Sequence, residues 1–148
     1  MRLAVDASTL VAEALRVRGR ALLGHPRLDL VIAAEASSEA AYELQNRVAF
    51  LVSKAHVTEM AGSVILRDAL AAIAKYVKLT TAAVYGQHLP EARWRVPRDP
   101  QDAPTLALAL ALNCGIWTLD RDFFGCGVQV WVTDTLVRYL ESPMAQGE

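Results

Sequence analysis

Several carboxylates lie directly before or after apolar runs of the sequence. They are Asp6, Glu35, Glu39, Asp99, Asp102, Asp120 and Asp122. Two carboxylates about 4 Å apart repel by roughly 1 kcal/mol in water and by about 4 kcal/mol at an effective dielectric near 20. A divalent cation removes this penalty, and a site built from carboxylates without histidine or thiolate favours Mg²⁺ or Mn²⁺ over zinc. If folding gathers these acids, the sequence predicts a site for a hard metal ion.

Each of these acids also has an ordinary structural explanation when it is taken singly. Asp6 could be a turn residue or a helix cap, and Asp102 is of the type found at an N-cap, two residues before a proline. Glu39 could favour the positive end of its helix. Because clustered acids mark functional sites only statistically, the metal hypothesis depends on whether the fold brings them together.

Short apolar runs followed by helical patterns repeat along the chain. The predicted strands are residues 2–5, 28–34, 114–119 and 128–132. The predicted helices after the first are residues 37–55, 57–77, 103–112 and 133–143. The first helix begins behind Ser8 or Thr9 and ends within residues 16–20, with Gly19 as its left-handed terminator. Residues 79–96 show no clear pattern.

The alternation of strands and helices predicts one α/β domain over residues 1–148. The expected architecture is an α/β/α sandwich around a central, mainly parallel sheet. A hydrophobic content of 53% and a charged content of 21% exclude a disordered chain. Ligands of such sheets bind beyond the carboxyl ends of the strands. Acids that follow predicted strands, such as Asp6 and Asp120, are therefore expected along one edge of the sheet.

The sequence gives no indication of membrane attachment or secretion. The longest uncharged run, residues 103–119, is shorter than the roughly 20 apolar residues of a membrane span and contains Pro104, Asn113 and Gly115. The N-terminal segment reaches Asp6 before a signal-type apolar region could develop. Two cysteines do not make a disulfide framework. We expect a cytoplasmic protein.

Three short motifs occur in a characteristic order along nearly the whole chain. They are "VDAST" at residues 5–9, "DPQDAPTLALAL" at residues 99–110 and "TLDRDF" at residues 118–123. In this order and spacing the sequence resembles the PIN domain family, and within it the VapC-type toxin ribonucleases of prokaryotes. The resemblance implies a PIN-like fold for the single domain.

The resemblance also assigns roles to individual residues. It implies four metal-binding catalytic acids, with two accessory acids and three supporting hydroxyl groups. The four acids are Asp6, Glu39, Asp102 and Asp120, the accessory acids are Asp99 and Asp122, and the hydroxyls belong to Ser8, Thr9 and Thr118. Glu35 and Glu43 compete with Glu39 for the second position. Glu39 is preferred because it is expected to begin a helix after a strand.

The activity implied by the resemblance is hydrolysis of RNA phosphodiester bonds by a metal-dependent endoribonuclease that uses Mg²⁺ or Mn²⁺. The expected biological role is the toxin of a type II toxin–antitoxin pair, and the expected partners are RNA, a cognate antitoxin and a second copy of the chain. A housekeeping PIN-type RNA-processing nuclease is the nearest alternative. An aspartyl phosphotransfer enzyme and a non-catalytic PIN-fold binding subunit are alternatives from other classes.

A basic and aromatic segment is the candidate RNA contact. Arg93, Arg95 and Arg98 could meet phosphates, and Trp94 could stack on a base. An edge strand with solvated arginines and a half-buried tryptophan is the competing interpretation. If four acids hold metal, the net charge of the remainder changes from −1 to +3, which reduces the repulsion of RNA.

Overall fold

A five-stranded sheet lies at the centre of the computed structural model, which describes residues 1–144. Its strands are β1 (Arg2–Val5), β2 (Asp29–Ala33), β3 (Val77–Thr80), β4 (Gly115–Trp117) and β5 (Val130–Trp131). Their order in the sheet is β3-β2-β1-β4-β5, and all these pairs are parallel. The predicted α/β fold with a parallel sheet is therefore confirmed.

Helices precede or follow these strands along the chain. They are α1 (Ala7–Ala14), α2 (Val17–Leu23), α3 (Ala34–Ser53), α4 (Glu59–Tyr76), α5 (Ala82–Tyr85), α6 (Leu89–Arg95), α7 (Ala103–Leu112) and α8 (Thr133–Glu141). Short 3₁₀ segments occupy Gly86–His88, Pro100–Asp102 and Arg121–Phe123. Among residues 1–144, no helix combines the length and the apolar character that a membrane span requires.

Helix α7 lies largely within the hydrophobic core. Leu106, Ala107 and Leu108 are fully buried, and the helix contacts β1, β2 and β4. A helix that is apolar on every side belongs in a core. Asn113, in the left-handed conformation with φ of 50°, ends it. The packing of α7 therefore fixes Asp102, the residue before its first turn, against the sheet.

The strand order places a topological switch point between β1 and β4. The chain continues from β1 to β2 and β3 on one side of β1, and it returns through α7 to β4 and β5 on the other side. Val5 pairs with Trp117, and the Asp6 amide donates to the Trp117 carbonyl at 3.1 Å. Residues that follow β1 and β4 therefore emerge side by side, in the crevice where such sheets bind ligands.

The prediction that one helix ends at Gly19 is wrong. The first helix ends at Ala14, and Gly19 lies inside α2 without a positive φ. A Cβ at Gly19 would lie 2.0 Å from the Glu13 carbonyl oxygen. Glycine is therefore required here for the close approach of α2 to the end of α1, and not for a left-handed turn.

The region from residue 77 to residue 98 also differs from the prediction. Val77, predicted as the end of a helix, begins β3 because it pairs with Leu30 of the sheet. The competing interpretation of the arginine-rich segment as an edge strand is wrong, since this segment forms α6 with a proline in its first turn and buries Ala92. Trp94 is 82% exposed rather than half-buried.

We predict that Gly19→Ala lowers the free energy of unfolding by roughly 1 to 3 kcal/mol, the usual cost of overpacking, because the new methyl group meets backbone atoms of Glu13. Denaturant unfolding followed by circular dichroism measures this loss. Gly86→Ala is the control, because a Cβ at Gly86 meets no atom within 4 Å and should change stability by less than about 1 kcal/mol. Equal effects of the two substitutions would contradict the close-contact explanation.

Candidate metal centre

Three aspartates from two segments form the tightest acidic group among residues 1–144. Asp102, Asp120 and Asp122 each offer one carboxylate oxygen, and these oxygens lie within 4.8 Å of one another. Asp102 precedes α7, whereas Asp120 and Asp122 follow β4. We call these residues the aspartate trio. Its short distances would produce strong repulsion if all three groups were ionised without a cation.

The carboxylate of Asp102 is the most unusual group of the trio. The residue is 6% exposed, and its buried Oδ2 atom accepts no hydrogen bond from any described residue. Asp102 stands at the N-cap of α7, yet its side chain does not cap the helix. Burial, followed by the negative charges of Asp120 and Asp6, raises the pKa of Asp102 to about 7. Because buried polar atoms are usually paired, this oxygen fits a metal ligand.

Asp6 lies beside the trio at the end of β1. Its Oδ2 atom accepts hydrogen bonds from the Ser8 hydroxyl at 2.8 Å and the Thr118 hydroxyl at 3.1 Å. Burial raises the pKa of Asp6, as does the negative charge of Asp120, while the two hydroxyl hydrogen bonds act in the opposite direction. The hydroxyls hold one oxygen of this buried carboxylate in place.

Two buried threonines join the ends of β1 and β4. Besides donating to Asp6, the Thr118 hydroxyl accepts a hydrogen bond from the Asp120 amide at 3.0 Å. The Thr9 hydroxyl accepts one from the Leu119 amide at 3.0 Å. The structure thus places all three predicted supporting hydroxyls, including that of Ser8, in contact with Asp6 or with the backbone that carries Asp120.

Asp99 and Asp120 each shape the short turn that carries the next aspartate, Asp102 and Asp122 respectively. Asp99 accepts a hydrogen bond from the Gln101 amide at 2.9 Å, which caps the 3₁₀ turn that ends at Asp102. Asp120 accepts one from the Asp122 amide at 2.9 Å in the same manner. Each of these local bonds uses the Oδ1 atom of the capping carboxylate. The negative charge of Asp99 also contributes to the raised pKa of Asp102.

Among the three candidate glutamates, the structure brings Glu39 to the acids. Burial raises the pKa of Glu39, and the charge of Asp6 is the next cause. Glu35 accepts a hydrogen bond from the buried Tyr85 hydroxyl, and Glu43 accepts one from Arg47 at 2.9 Å. The reason given for preferring Glu39 is nevertheless wrong, because α3 begins at Ala34 and Glu39 lies one turn inside it.

Tyr85 is a residue of this region that no sequence motif indicates. Burial, followed by its hydrogen bond to Glu35, raises the pKa of the Tyr85 phenol to about 12. The phenol therefore stays protonated and donates its hydrogen bond to the Glu35 carboxylate. This hydrogen bond joins α5 to α3, and a contact between residues 50 positions apart is not revealed by a single sequence.

The candidate RNA-contact residues differ in their surroundings. The Arg98 Nη1 atom lies 3.3 Å from Asp122 Oδ1, so this arginine reaches the trio. Arg95 is partly buried, and it donates to the Cys126 carbonyl and pairs with Glu91. Arg93 and Trp94 are exposed on α6, and Arg93 forms no ion pair with any described residue.

We predict that Asp102→Asn stabilises the metal-free protein at pH 8. An unfolded aspartate has a pKa of about 3.9, so the raised folded-state pKa of Asp102 makes its contribution to stability fall as pH rises from about 4 through about 7. Asparagine does not ionise, so the variant avoids this loss. Its free energy of unfolding at pH 8 should exceed that of the native protein by about 1 to 2 kcal/mol after solvent screening.

Chemical unfolding in the presence of a chelator measures this difference at pH 5 and pH 8. The gain should shrink at pH 5, where the native Asp102 carboxyl is already protonated. A variant less stable than the native protein at both pH values would show that the Asp102 carboxylate is satisfied without a cation.

Comparison with known proteins identifies the family of the chain. A sequence model described as PIN domain matches residues 4–141, which include all the acids of the site. The search of curated proteins finds no match. Since the matched region covers most of the 148 residues, the chain belongs to the PIN domain family.

Proposed function

We propose that this PIN domain is a metal-dependent endoribonuclease that hydrolyses RNA phosphodiester bonds with Mg²⁺ or Mn²⁺. PIN domains are generally nucleases, and the family match supports an activity on nucleic acid. The observation that carries the proposal is the environment of Asp102. Its buried Oδ2 atom accepts no hydrogen bond from a described residue, and one of its carboxylate oxygens lies within 4.8 Å of oxygens from Asp120 and Asp122. A hard cation is the partner that this oxygen chemistry favours.

The residues that would hold the ion come from four parts of the chain. Asp102, Asp120 and Asp122 supply the closest oxygens, and Asp6 and Glu39 border them. In this proposal the catalytic set is Asp6, Glu39, Asp102 and Asp120, with Asp99 and Asp122 as accessory acids. A bound ion would polarise the phosphoryl oxygen, lower the pKa of a bound water and stabilise the leaving oxygen.

The protein's own residues set the position and the charge of these ligands. Ser8 and Thr118 hold one oxygen of Asp6, and the buried helix α7 positions Asp102 at its N-cap. Because the pKa of Asp102 is raised to about 7, this group must release its proton before it binds a cation at neutral pH. Apparent metal affinity should therefore increase as pH rises through this range.

RNA would approach the site along α6 and the turn after it. Arg93 and Trp94 are exposed, and Arg98 contacts the trio through Asp122. Base stacking on an aromatic side chain is worth about 1 to 3 kcal/mol per base, so Trp94 would add affinity for unpaired nucleotides. The Arg95 guanidinium already contacts the Cys126 carbonyl and Glu91, so in this proposal it stabilises the surface and does not bind phosphate.

The proposed biological role is that of a toxin paired with an antitoxin. The toxin role is supported by the sequence resemblance. A candidate surface for a partner is an open groove of about 500 Å³, lined by Leu15, Glu43, Asn46, Arg47, Phe50 and Leu51. Phe50 is 58% exposed there, as suits a surface for a partner segment or a second copy. Light scattering of the purified chain tests the proposed homodimer, and growth arrest upon expression tests the toxin role.

We predict that Asp102→Asn and Asp120→Asn each reduce RNA cleavage by more than about a hundredfold, because even the loss of residues that support metal ligands reduces activity 10- to 100-fold. Cleavage of single-stranded and structured RNA is measured with Mg²⁺, with Mn²⁺ and with a chelator. Asp134→Asn is the matched control, because Asp134 is exposed on α8 and should leave the rate unchanged.

The chelator should abolish cleavage by the native protein. Chelator-resistant cleavage, or full activity in both site variants, would contradict the proposed site. Intact RNA in every metal condition, with metal binding retained, would favour a binding module in place of an enzyme.

A further inference from the structure

The ion pair between Arg98 and Asp122 connects a surface cation to the aspartate trio. The Arg98 side chain is 78% exposed, the Asp122 side chain is 30% exposed, and their nearest atoms lie 3.3 Å apart. Arg98 lies in the turn between α6 and the 3₁₀ segment that ends at Asp102. This arginine is therefore placed to exchange between a carboxylate of the trio and a ligand in solvent.

The other arginines of this region are in different situations. Arg95 is held by Glu91 and the Cys126 carbonyl. Arg93 and Arg121 are exposed and form no ion pair within residues 1–144. Within that described part, Arg98 is thus the arginine whose guanidinium contacts an acid of the trio.

The Arg98 guanidinium would compete for Asp122 with a cation that is bound by the trio. A divalent ion would draw the Asp122 carboxylate to itself, which weakens the ion pair and frees the donors of Arg98. A free guanidinium binds phosphate oxygens in a bidentate manner. An RNA phosphate that takes Arg98 would in turn leave Asp122 available to the ion.

We infer that Arg98 couples metal binding to RNA binding through this exchange of partners. Arg98 neutralises Asp122 while no ion is bound, and it binds an RNA phosphate when an ion engages Asp122. This inference rests on the proposed ribonuclease function. Because coupling free energies are reciprocal, metal increases RNA affinity through Arg98 by the same factor by which RNA increases metal affinity.

The size of the coupling follows from the exposure of the pair. Exposed ion pairs contribute little, so removing the competing guanidinium should tighten metal binding about two- to fivefold. The same substitution removes a phosphate ligand and should weaken RNA binding. Opposite effects on the two affinities distinguish this role from a purely structural one, which would not tighten metal binding.

The test measures Mn²⁺ affinity of the full chain by calorimetry without RNA, for the native protein and for Arg98→Ala. Arg121→Ala is the matched control. Arg121 is exposed, precedes Asp122 in the chain and forms no ion pair with a described residue, so this substitution removes the same charge without removing an ion pair. At 0.15 M salt, Arg98→Ala should tighten Mn²⁺ binding about two- to fivefold, and Arg121→Ala should change it less. Arg98→Gln gives a second, polar variant should the alanine variant fold poorly.

The second half of the test measures binding of a non-cleavable 2′-O-methyl oligonucleotide with and without Mn²⁺. The factor by which Mn²⁺ tightens oligonucleotide binding should fall about two- to fivefold in Arg98→Ala. Arg93→Ala and Trp94→Ala should weaken oligonucleotide binding and leave Mn²⁺ affinity unchanged. These two variants test the proposed RNA contacts separately from the coupling.

The inference is overturned if Arg98→Ala binds Mn²⁺ as the native protein does or more weakly, or if the coupling factor is unchanged. In that case, metal-dependent RNA cleavage by the native protein would still support the proposed function. Absence of any Mn²⁺ binding would overturn both. The failure of the coupling and the failure of the nuclease assignment therefore give different results.

Discussion

Electrostatic repulsion among buried carboxylates is the constraint on which the site depends. Asp102 is 6% exposed, and its Oδ2 atom has no donor among the described residues. One oxygen each from Asp120 and Asp122 lies within 4.8 Å of an Asp102 carboxylate oxygen. A protein can tolerate this arrangement in two ways. Asp102 can remain protonated near neutral pH, as its raised pKa of about 7 indicates, or a cation can bind. In our account, Asp102 is protonated in the metal-free protein, and it is ionised when a cation is bound.

The fold maintains this arrangement through contacts that are remote in sequence. Parallel pairing of β1 with β4 sets the ends of both strands side by side, and the Thr118 hydroxyl links Asp6 to the Asp120 amide there. The buried helix α7 brings Asp102 to the same crevice from a third direction. Since strands and helix belong to the core, the acids cannot separate to relieve their repulsion without loss of packing. The packing of the core therefore keeps the acids close together despite their mutual repulsion.

Local sequence patterns predict part of this structure, since the apolar runs indicate strands that alternate with helices. The capping residues were not predicted: the candidate cap Asp102 does not cap α7 with its side chain, whereas Asp99 and Asp120 accept hydrogen bonds from amides two positions further on. Features that depend on distant partners were not predictable. Gly19 is set by the backbone of Glu13, and β3 exists because Val77 pairs with Leu30.

The most direct test of the account is the number of protons released when Mn²⁺ binds. Calorimetric titration in buffers of different ionisation enthalpy measures this number between pH 6 and pH 9. With a pKa of about 7 for Asp102, we predict release approaching one proton per ion near pH 6, declining towards zero near pH 9. The release at pH 6 should largely disappear in Asp102→Asn. Absence of Mn²⁺ binding, or binding without proton release at pH 6, would contradict the account.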